Sequence, residues 1–241
     1  MNEIEQLYNW WFISLVMFVG YFLIVGILYV LIYNKKKSQM MKYKIQKTFS
    51  PLSKIRKEIA YSTSTLIIYC TSSWAVYYFY ELGLTKMYFK IDDFGIVYFF
   101  ISIFIMIGIH DTYFYWSHRL IHIPKLFNTI HKVHHLSNNP TPWASFSFHP
   151  IEAIISIGYI PIIVFLLPCH PLALFVFLSI MLIISVVGHL GYEFFSNKFM
   201  NNYIGKWINP STFHNFHHKK SNYNFGLYFT FWDRIMGTFK G

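Results

Sequence analysis

Charged residues are scarce in this chain of 241 residues: Asp, Glu, Lys and Arg make up 12% of it, against about 25% in typical soluble domains. Apolar residue types make up 55% and aromatic types 22%. A water-soluble surface cannot be built from so few charges, so lipid must surround much of the protein. The composition therefore excludes a soluble enzyme and a disordered segment, and the length limits the chain to one compact unit.

Cysteine is also rare, since Cys70 and Cys169 are the only two, and both lie in or beside apolar stretches. Two such residues exclude a disulfide framework and a Cys-rich zinc site. The chain contains no HExxH motif, no GxSxG motif, no GxGxxG motif and no P-loop. The chain therefore lacks the usual sequence signatures of zinc hydrolases, serine hydrolases and nucleotide-binding enzymes.

Long uncharged runs dominate the sequence. The first spans residues 9–34 and is long enough to cross a bilayer. Four more apolar segments of helical length follow, at 63–80, 94–109, 153–167 and 172–190. The pattern predicts an all-α, integral-membrane helical bundle with four or five membrane segments. The last two segments flank Pro168-Cys169-His170-Pro171, which predicts a helical hairpin whose depth in the membrane stays open.

Basic residues are concentrated rather than spread over the chain. Nine of the twenty Lys and Arg residues fall between Lys35 and Lys57, directly after the first apolar run. This placement predicts a juxtamembrane loop on the cytoplasmic side and argues against nucleic-acid binding. We therefore expect an N-terminal membrane helix with a basic cytoplasmic loop at 1–57, followed by the main part of the bundle at 58–241.

Histidine is the residue that indicates chemistry. Eight of the twelve histidines form three short clusters in the predicted cytoplasmic segments: His118 and His122; His131, His134 and His135; and His214, His217 and His218. Residues i, i+3 and i+4 share one face of a helix, so each cluster can present neighbouring imidazoles. Neutral imidazole binds Fe, Zn, Cu and Ni, and eight imidazoles exceed what one ion can use. The clusters therefore predict two metal ions on one side of the membrane.

Other histidines differ in their expected roles. His189, flanked by glycines near the end of the last apolar run, is the expected ninth ligand. His170 in the proline turn is expected to be a structural side chain. His110 and His149 each have two open interpretations: a hydrogen-bond partner of a metal ligand, or a cap at the end of a helix. We do not expect Glu193 to bind metal.

Three further charged side chains have open or structural interpretations. Asp111 lies two helical turns before His118, where its carboxylate would either orient a ligand imidazole or pair with Arg119. Asp233 and Arg234 near the C-terminus are expected to form a structural pair. No catalytic side chain beyond the metal ligands is predicted.

The motifs together resemble the fatty acid hydroxylase and sterol desaturase superfamily of membrane enzymes. The resemblance covers roughly residues 58–240 and rests on the run from His110 to His122, the cluster from His131 to His135, the segment 140–150 and the cluster from His214 to His218. The closing segment 224–239 is especially similar to the sterol C5-desaturase (lathosterol oxidase) branch. The resemblance implies a helical membrane bundle with a cytosolic cap, in which the three clusters and His189 bind two iron ions.

The activity implied by this resemblance is O2-dependent hydroxylation or desaturation of a membrane lipid, either sterol-like or fatty-acyl. Zinc is expected as a possible substitute for iron in purified protein. Because no cytochrome b5 domain is fused to the short N-terminal region, we expect a separate electron donor, cytochrome b5-like or ferredoxin-like. A histidine-rich metal-binding membrane protein or transporter without redox catalysis is the alternative. A transporter would place polar groups inside several spans, whereas these clusters lie in the loops.

Overall fold

The computed structural model describes residues 3–241, with side chains described from Phe12 onwards, and within that range it is all-α, as predicted. Its main helices are α1 (Glu3–Tyr29), α2 (Leu52–Glu81), α3 (Gly95–Ile121), α4 (Lys132–His135), α5 (Pro150–Ser156), α6 (Tyr159–Leu166), α7 (Pro171–Gly188), α8 (Ser211–Lys220) and α9 (Phe231–Ile235). Two π-helical segments lie at Val30–Lys35 and Phe127–His131. Short helical turns lie at Lys37–Met40, Met41–Tyr43, Ile91–Asp93, Pro124–Leu126, Pro142–Phe146, Asn197–Met200 and Gly205–Trp207.

Three helices in the described part of the chain are long and apolar enough to cross a membrane: Phe12–Lys35, Gly95–Ile121 and Pro171–Gly188. The predicted segments 63–80 and 153–167 are also helical, but they do not meet the same criterion of length and hydropathy. Ser and Thr residues interrupt the apolar character of the first, and the second is split between α5 and α6. The sequence therefore predicted the helices correctly, and composition alone supports three full spans.

The predicted hairpin is present, since α6 ends at Leu166 and α7 begins at Pro171. His170 caps α7, because its Nδ1 accepts a hydrogen bond from the Leu172 backbone N–H at 3.1 Å. This contact gives His170 the structural role that the sequence predicts.

A break separates α5 from α6. The Tyr113 hydroxyl donates a 2.6 Å hydrogen bond to the Ile155 carbonyl at this break. A side chain at Gly158 would collide with that hydroxyl, because a Cβ atom there would lie 2.2 Å from it. Glycine therefore permits the close approach of α3 to the end of α5.

The basic loop after α1 packs against the histidine-bearing end of the bundle. The Ile45 N–H donates to the Gly191 carbonyl, and the Gln46 side chain donates to Asn215 Oδ1 beside the third histidine cluster. Lys44 is buried among the rings of Tyr33 and Tyr192, and burial lowers the pKa of its ammonium to about 8. This loop is thus part of the cap over the histidines.

Candidate metal centre

The three histidine clusters and His189 come together at one end of the bundle. Their side-chain nitrogens form two groups, and within each group the nitrogens lie within 4.8 Å of one another. The first group contains five histidines: His118, His122, His131, His135 and His217. The second contains four: His134, His189, His214 and His218. All nine histidines predicted as ligands therefore lie in these two groups.

Each cluster is positioned by a helix end. His118 lies in the last turn of α3 and His122 caps it, while α8 carries the third cluster. The second cluster begins in the π-helical turn Phe127–His131 and ends with α4. Residues i and i+4 of a helix point in nearly the same direction, whereas residue i+3 lies about 60° away around the axis. One helical cluster can therefore serve two adjacent groups.

The second and third clusters divide in that way. His131 and His135, four residues apart, face the five-histidine group, while His134 faces the four-histidine group. In α8 the arrangement is reversed, because His214 and His218 face the four-histidine group and His217 faces the other. The two groups consequently share the same two helical segments.

The Nε2 atoms converge within each group. In the five-histidine group, His118 Nε2 lies 3.2 Å from His131 Nε2 and 3.3 Å from His122 Nε2. In the four-histidine group, His214 Nε2 lies 2.9 Å from His189 Nε2 and 3.2 Å from His218 Nε2. A nitrogen ligand lies about 2.0–2.1 Å from a zinc ion, so two ligands at right angles are about 3 Å apart. These spacings fit imidazoles that surround a metal ion.

Hydrogen bonds on the opposite ring nitrogen fix which atom faces inward. Nδ1–H groups donate to backbone carbonyls in four histidines: His118 to Phe225, His134 to Ser147, His189 to Ser185 and His217 to Tyr223. Their distances run from 2.7 to 3.4 Å. Because Nδ1 carries the proton, Nε2 keeps its lone pair available for a metal. The Nε2 atoms of His135 and His217 are buried and have no hydrogen-bond partner among the described residues.

Among the described side chains, Glu152 is the one carboxylate that contacts a ring of these histidines. Its Oε1 lies 2.6 Å from Nδ1 of His131, and both side chains are buried. A carboxylate behind a ligand imidazole fixes the ring and raises its basicity. This contact was not predicted from the sequence, although Glu152 lies in the first turn of the helix that His149 and Pro150 begin.

The buried imidazoles are held in their neutral form. Burial lowers the pKa of His135 to about 3 and the pKa of His189 to about 4. Burial, together with neighbouring imidazoles, lowers the pKa of His134, His214 and His218 well below its ordinary value. Neutral imidazole is the form that binds metals, so the environment favours ligation over protonation at neutral pH.

The residues with open interpretations lie outside both groups. His149 caps α5, with its Nδ1 accepting from the Ile151 N–H, and His110 Nδ1 is 2.7 Å from the Tyr228 hydroxyl. Glu193 accepts hydrogen bonds from the backbone and side chain of Thr212. His149 is thus a helix cap, as one of its two interpretations predicts.

Two buried aspartates have roles that the sequence did not indicate. Asp111 Oδ1 accepts from the N–H groups of Tyr228 and Phe229, and not from a ligand imidazole or Arg119. Asp233 accepts from the N–H groups of Phe225 and Gly226, so the expected pair with Arg234 is wrong. Both aspartates hold the segment whose Phe225 carbonyl orients His118. Their role is structural and acts on a loop.

One cavity in the described part of the chain borders the histidines, and another lies among the helices. A small one of about 40 Å³ is bordered by apolar side chains such as Phe114, Phe148 and Leu227 and by five histidines: His118, His131, His134, His189 and His214. A larger one, of about 480 Å³, is lined mainly by residues of α1, α2, α6 and α7. Its volume is in the range of pockets that bind small molecules.

The chain is similar in sequence to proteins of known family. The model of the fatty acid hydroxylase family matches residues 103–238. Human lathosterol oxidase is 30% identical over 190 residues, which cover 78% of this chain and 62% of the human protein. The Delta(7)-sterol 5(6)-desaturase of Saccharomyces cerevisiae is 33% identical over 161 residues, covering 66% of this chain and 42% of the yeast protein. The chain therefore spans less than two thirds of these relatives, and no solved structure matches it.

Proposed function

Because the chain belongs to the fatty acid hydroxylase family, in its sterol desaturase-like branch, we propose that it is a membrane-bound, O2-dependent, non-haem di-iron oxidoreductase. It would hydroxylate or desaturate a lipid in lipid biosynthesis. The observation that carries the proposal is the pair of neutral histidine groups beside an apolar pocket. Two adjacent groups of ligands match two metal ions rather than one.

The donor set supports iron. His118, His122, His131, His135 and His217 would hold one ion, and His134, His189, His214 and His218 the other. Reduced iron, when bound, supplies the electrons that activate dioxygen for attack on an unactivated C–H bond. Imidazole also binds zinc, so zinc is expected to occupy the site in protein purified without iron.

The protein's own residues would orient the ligands and keep bulk water out. Nδ1 hydrogen bonds to backbone carbonyls orient four of the rings, and the apolar side chains Phe114, Ile121, Phe148 and Leu227 border the small cavity beside the ligands. An apolar wall on one side and imidazoles on the other suit a hydrocarbon substrate that must approach the metals. No other catalytic side chain is needed for this role.

The relatives indicate the substrate class. Because they are a lathosterol oxidase and a Delta(7)-sterol 5(6)-desaturase, we favour a sterol-like lipid over a fatty-acyl one. Electrons would come from a separate cytochrome b5-like or ferredoxin-like donor. We also propose residues 58–241 as the catalytic domain, with residues 1–57 supplying a membrane helix and the basic loop.

Lipid mass spectrometry tests the proposed reaction. Membranes that contain the iron-loaded protein and an electron-donor system are supplied with oxygen-18 and compared with membranes that lack the protein. We expect a lipid product that carries one labelled oxygen, or one that is two hydrogens lighter. Binding of two metal ions without any oxygen-dependent lipid turnover would overturn the proposal in favour of a metal-binding membrane protein.

The side of the membrane is tested by labelling. Because basic loops are retained in the cytoplasm, we propose that the histidine-bearing end faces that side. Cysteines placed at the exposed positions Ser38 and Asn222 should react with an impermeant maleimide only after permeabilisation. A cysteine at exposed Lys90, in the loop at the other end of the bundle, should react in intact cells. The reverse pattern would place the centre outside.

A further inference from the structure

The larger cavity is elongated along the bundle. On α2 its lining extends from Leu66 to Phe79, and on α7 from Pro171 to Leu182. With a helical rise of 1.5 Å per residue, these stretches measure roughly 16–20 Å. Among the described residues, none of those that line the cavity is charged. Its dimensions and lining therefore suit a long, neutral, apolar molecule and exclude a charged headgroup.

A hydrogen-bonded pair lies between the larger cavity and the small one beside the histidines. Tyr69 lines the larger cavity and Ser156 lines the smaller, and their side-chain oxygens are 2.7 Å apart. The ring of Phe146 packs edge-on against Tyr69, with centroids 5.6 Å apart. The two cavities are therefore linked through a contact between one residue of each lining.

The direction of the hydrogen bond indicates how this contact can open. Ser156 Oγ donates to the Ala153 carbonyl at 2.9 Å, which uses its only proton. Tyr69 must therefore be the donor to Ser156. If the tyrosine moves away, Ser156 keeps its bond to Ala153, and only the Tyr69 hydroxyl loses a partner. Ser156 is also the last residue of α5, directly before the break at Gly158.

Building on the proposed function, we propose that the larger cavity holds the body of the lipid substrate and that the Tyr69–Ser156 pair is its gate. The pair decides how far the end of the lipid reaches toward the histidines, and so which carbon reacts. The expected ligand is an elongated neutral lipid such as a sterol. Tyr69 and Ser156 are then specificity-determining residues.

Occupancy of the cavity is tested by photo-crosslinking in nanodiscs. The probes are a sterol with a diazirine at the end of its side chain and a fatty acid with a terminal diazirine. We expect the sterol to label cavity peptides of α2 and α7. Leu178→Trp, which fills the cavity, should reduce this labelling about tenfold. Ile183→Trp on the lipid-facing side of the same helix is the matched control and should leave it unchanged.

Gating is tested with the same sterol probe. Tyr69→Phe removes the hydroxyl and keeps the ring, so labelling of Phe148 and Leu227 in the small cavity should rise. The expected rise is about fivefold, because losing one typical hydrogen bond shifts the equilibrium between closed and open gate by about that factor. Tyr78→Phe, on an exposed face of the same helix, should change nothing. The position of the oxidised carbon should shift in Tyr69→Phe alone.

The readouts separate this inference from the proposed reaction. Crosslinking and metal content are measured without turnover, so they report on the cavity even if the iron-loaded protein is inactive. Equal labelling of the small cavity in wild type and Tyr69→Phe would overturn the gate. Unlabelled cavity peptides, or preferential labelling by the fatty acid, would overturn the sterol-sized cavity. If Leu178→Trp does not fold, Leu178→Ala should instead increase labelling.

Discussion

His218→Ala is expected to leave about one metal ion per chain instead of two, because its group has only four histidines. His217→Ala removes one of five ligands, so four imidazoles remain and the ion should stay bound with lower affinity. Both substitutions should lower lipid turnover by about 100-fold or more. Removing a residue that only hydrogen-bonds to a metal ligand costs up to about 100-fold, and removing the ligand itself should cost at least as much. Metal content after dialysis, measured by mass spectrometry, distinguishes the two variants.

His170→Ala is the matched control for this experiment. His170 caps α7 at the proline turn and belongs to neither histidine group. It should therefore bind as much metal as the wild type. Membrane insertion should be unaffected in every variant, because apolar helices rather than the ligands hold the protein in the bilayer. Two tightly held ions in His218→Ala would contradict the assignment of two separate groups.

Glu152→Ala is expected to weaken metal binding by about 100-fold, and Glu152→Gln by about 10-fold. Alanine leaves the Nδ1–H of buried His131 without an acceptor, whereas glutamine retains an oxygen but loses the charge that raises ring basicity. Chelator competition measures the affinity directly, without requiring turnover. Metal affinity should therefore fall in the order wild type, Glu152→Gln, Glu152→Ala. This order is expected for a carboxylate that orients a ligand.

Glu193→Gln provides the comparison for a carboxylate of similar size. Glu193 binds the backbone and side chain of Thr212 at the start of α8 and lies outside both histidine groups. Its substitution should leave metal affinity near that of the wild type. Equal losses in Glu193→Gln and Glu152→Gln would show a general effect of losing negative charge, and would remove the special role of Glu152.

Local spacing explains why the candidate ligands could be found from the sequence. Positions i, i+3 and i+4 lie close together on any helix, so clustered histidines predict clustered imidazoles before the fold is known. The division of His131, His134 and His135 between two groups could not be predicted in this way. It depends on how the segment 127–135 packs against α8.

Long-range contacts explain the errors. Asp111 and Asp233 accept backbone N–H groups from the segment 225–229, and Glu152 reaches His131, which is 21 residues away. From the sequence, Asp233 is expected to pair with Arg234, and Asp111 either to orient a nearby imidazole or to pair with Arg119, because only neighbours are visible in a sequence. A buried carboxylate needs a hydrogen-bond donor, and buried backbone N–H groups and imidazoles also need a partner because water is absent. Burial therefore favours contacts between them.

The sequence by itself determined the all-α membrane class, the helical segments and the nine histidines, because hydropathy and helical periodicity are local properties. Only the tertiary structure decided the two groups of histidines, the carboxylate behind His131, the packing of the basic loop on the cap and the hydrogen bond between Tyr69 and Ser156. Each of these contacts joins residues from different helices or loops. Their geometry follows from how the helices pack, and that packing minimises the free energy of the whole bundle rather than of any one segment.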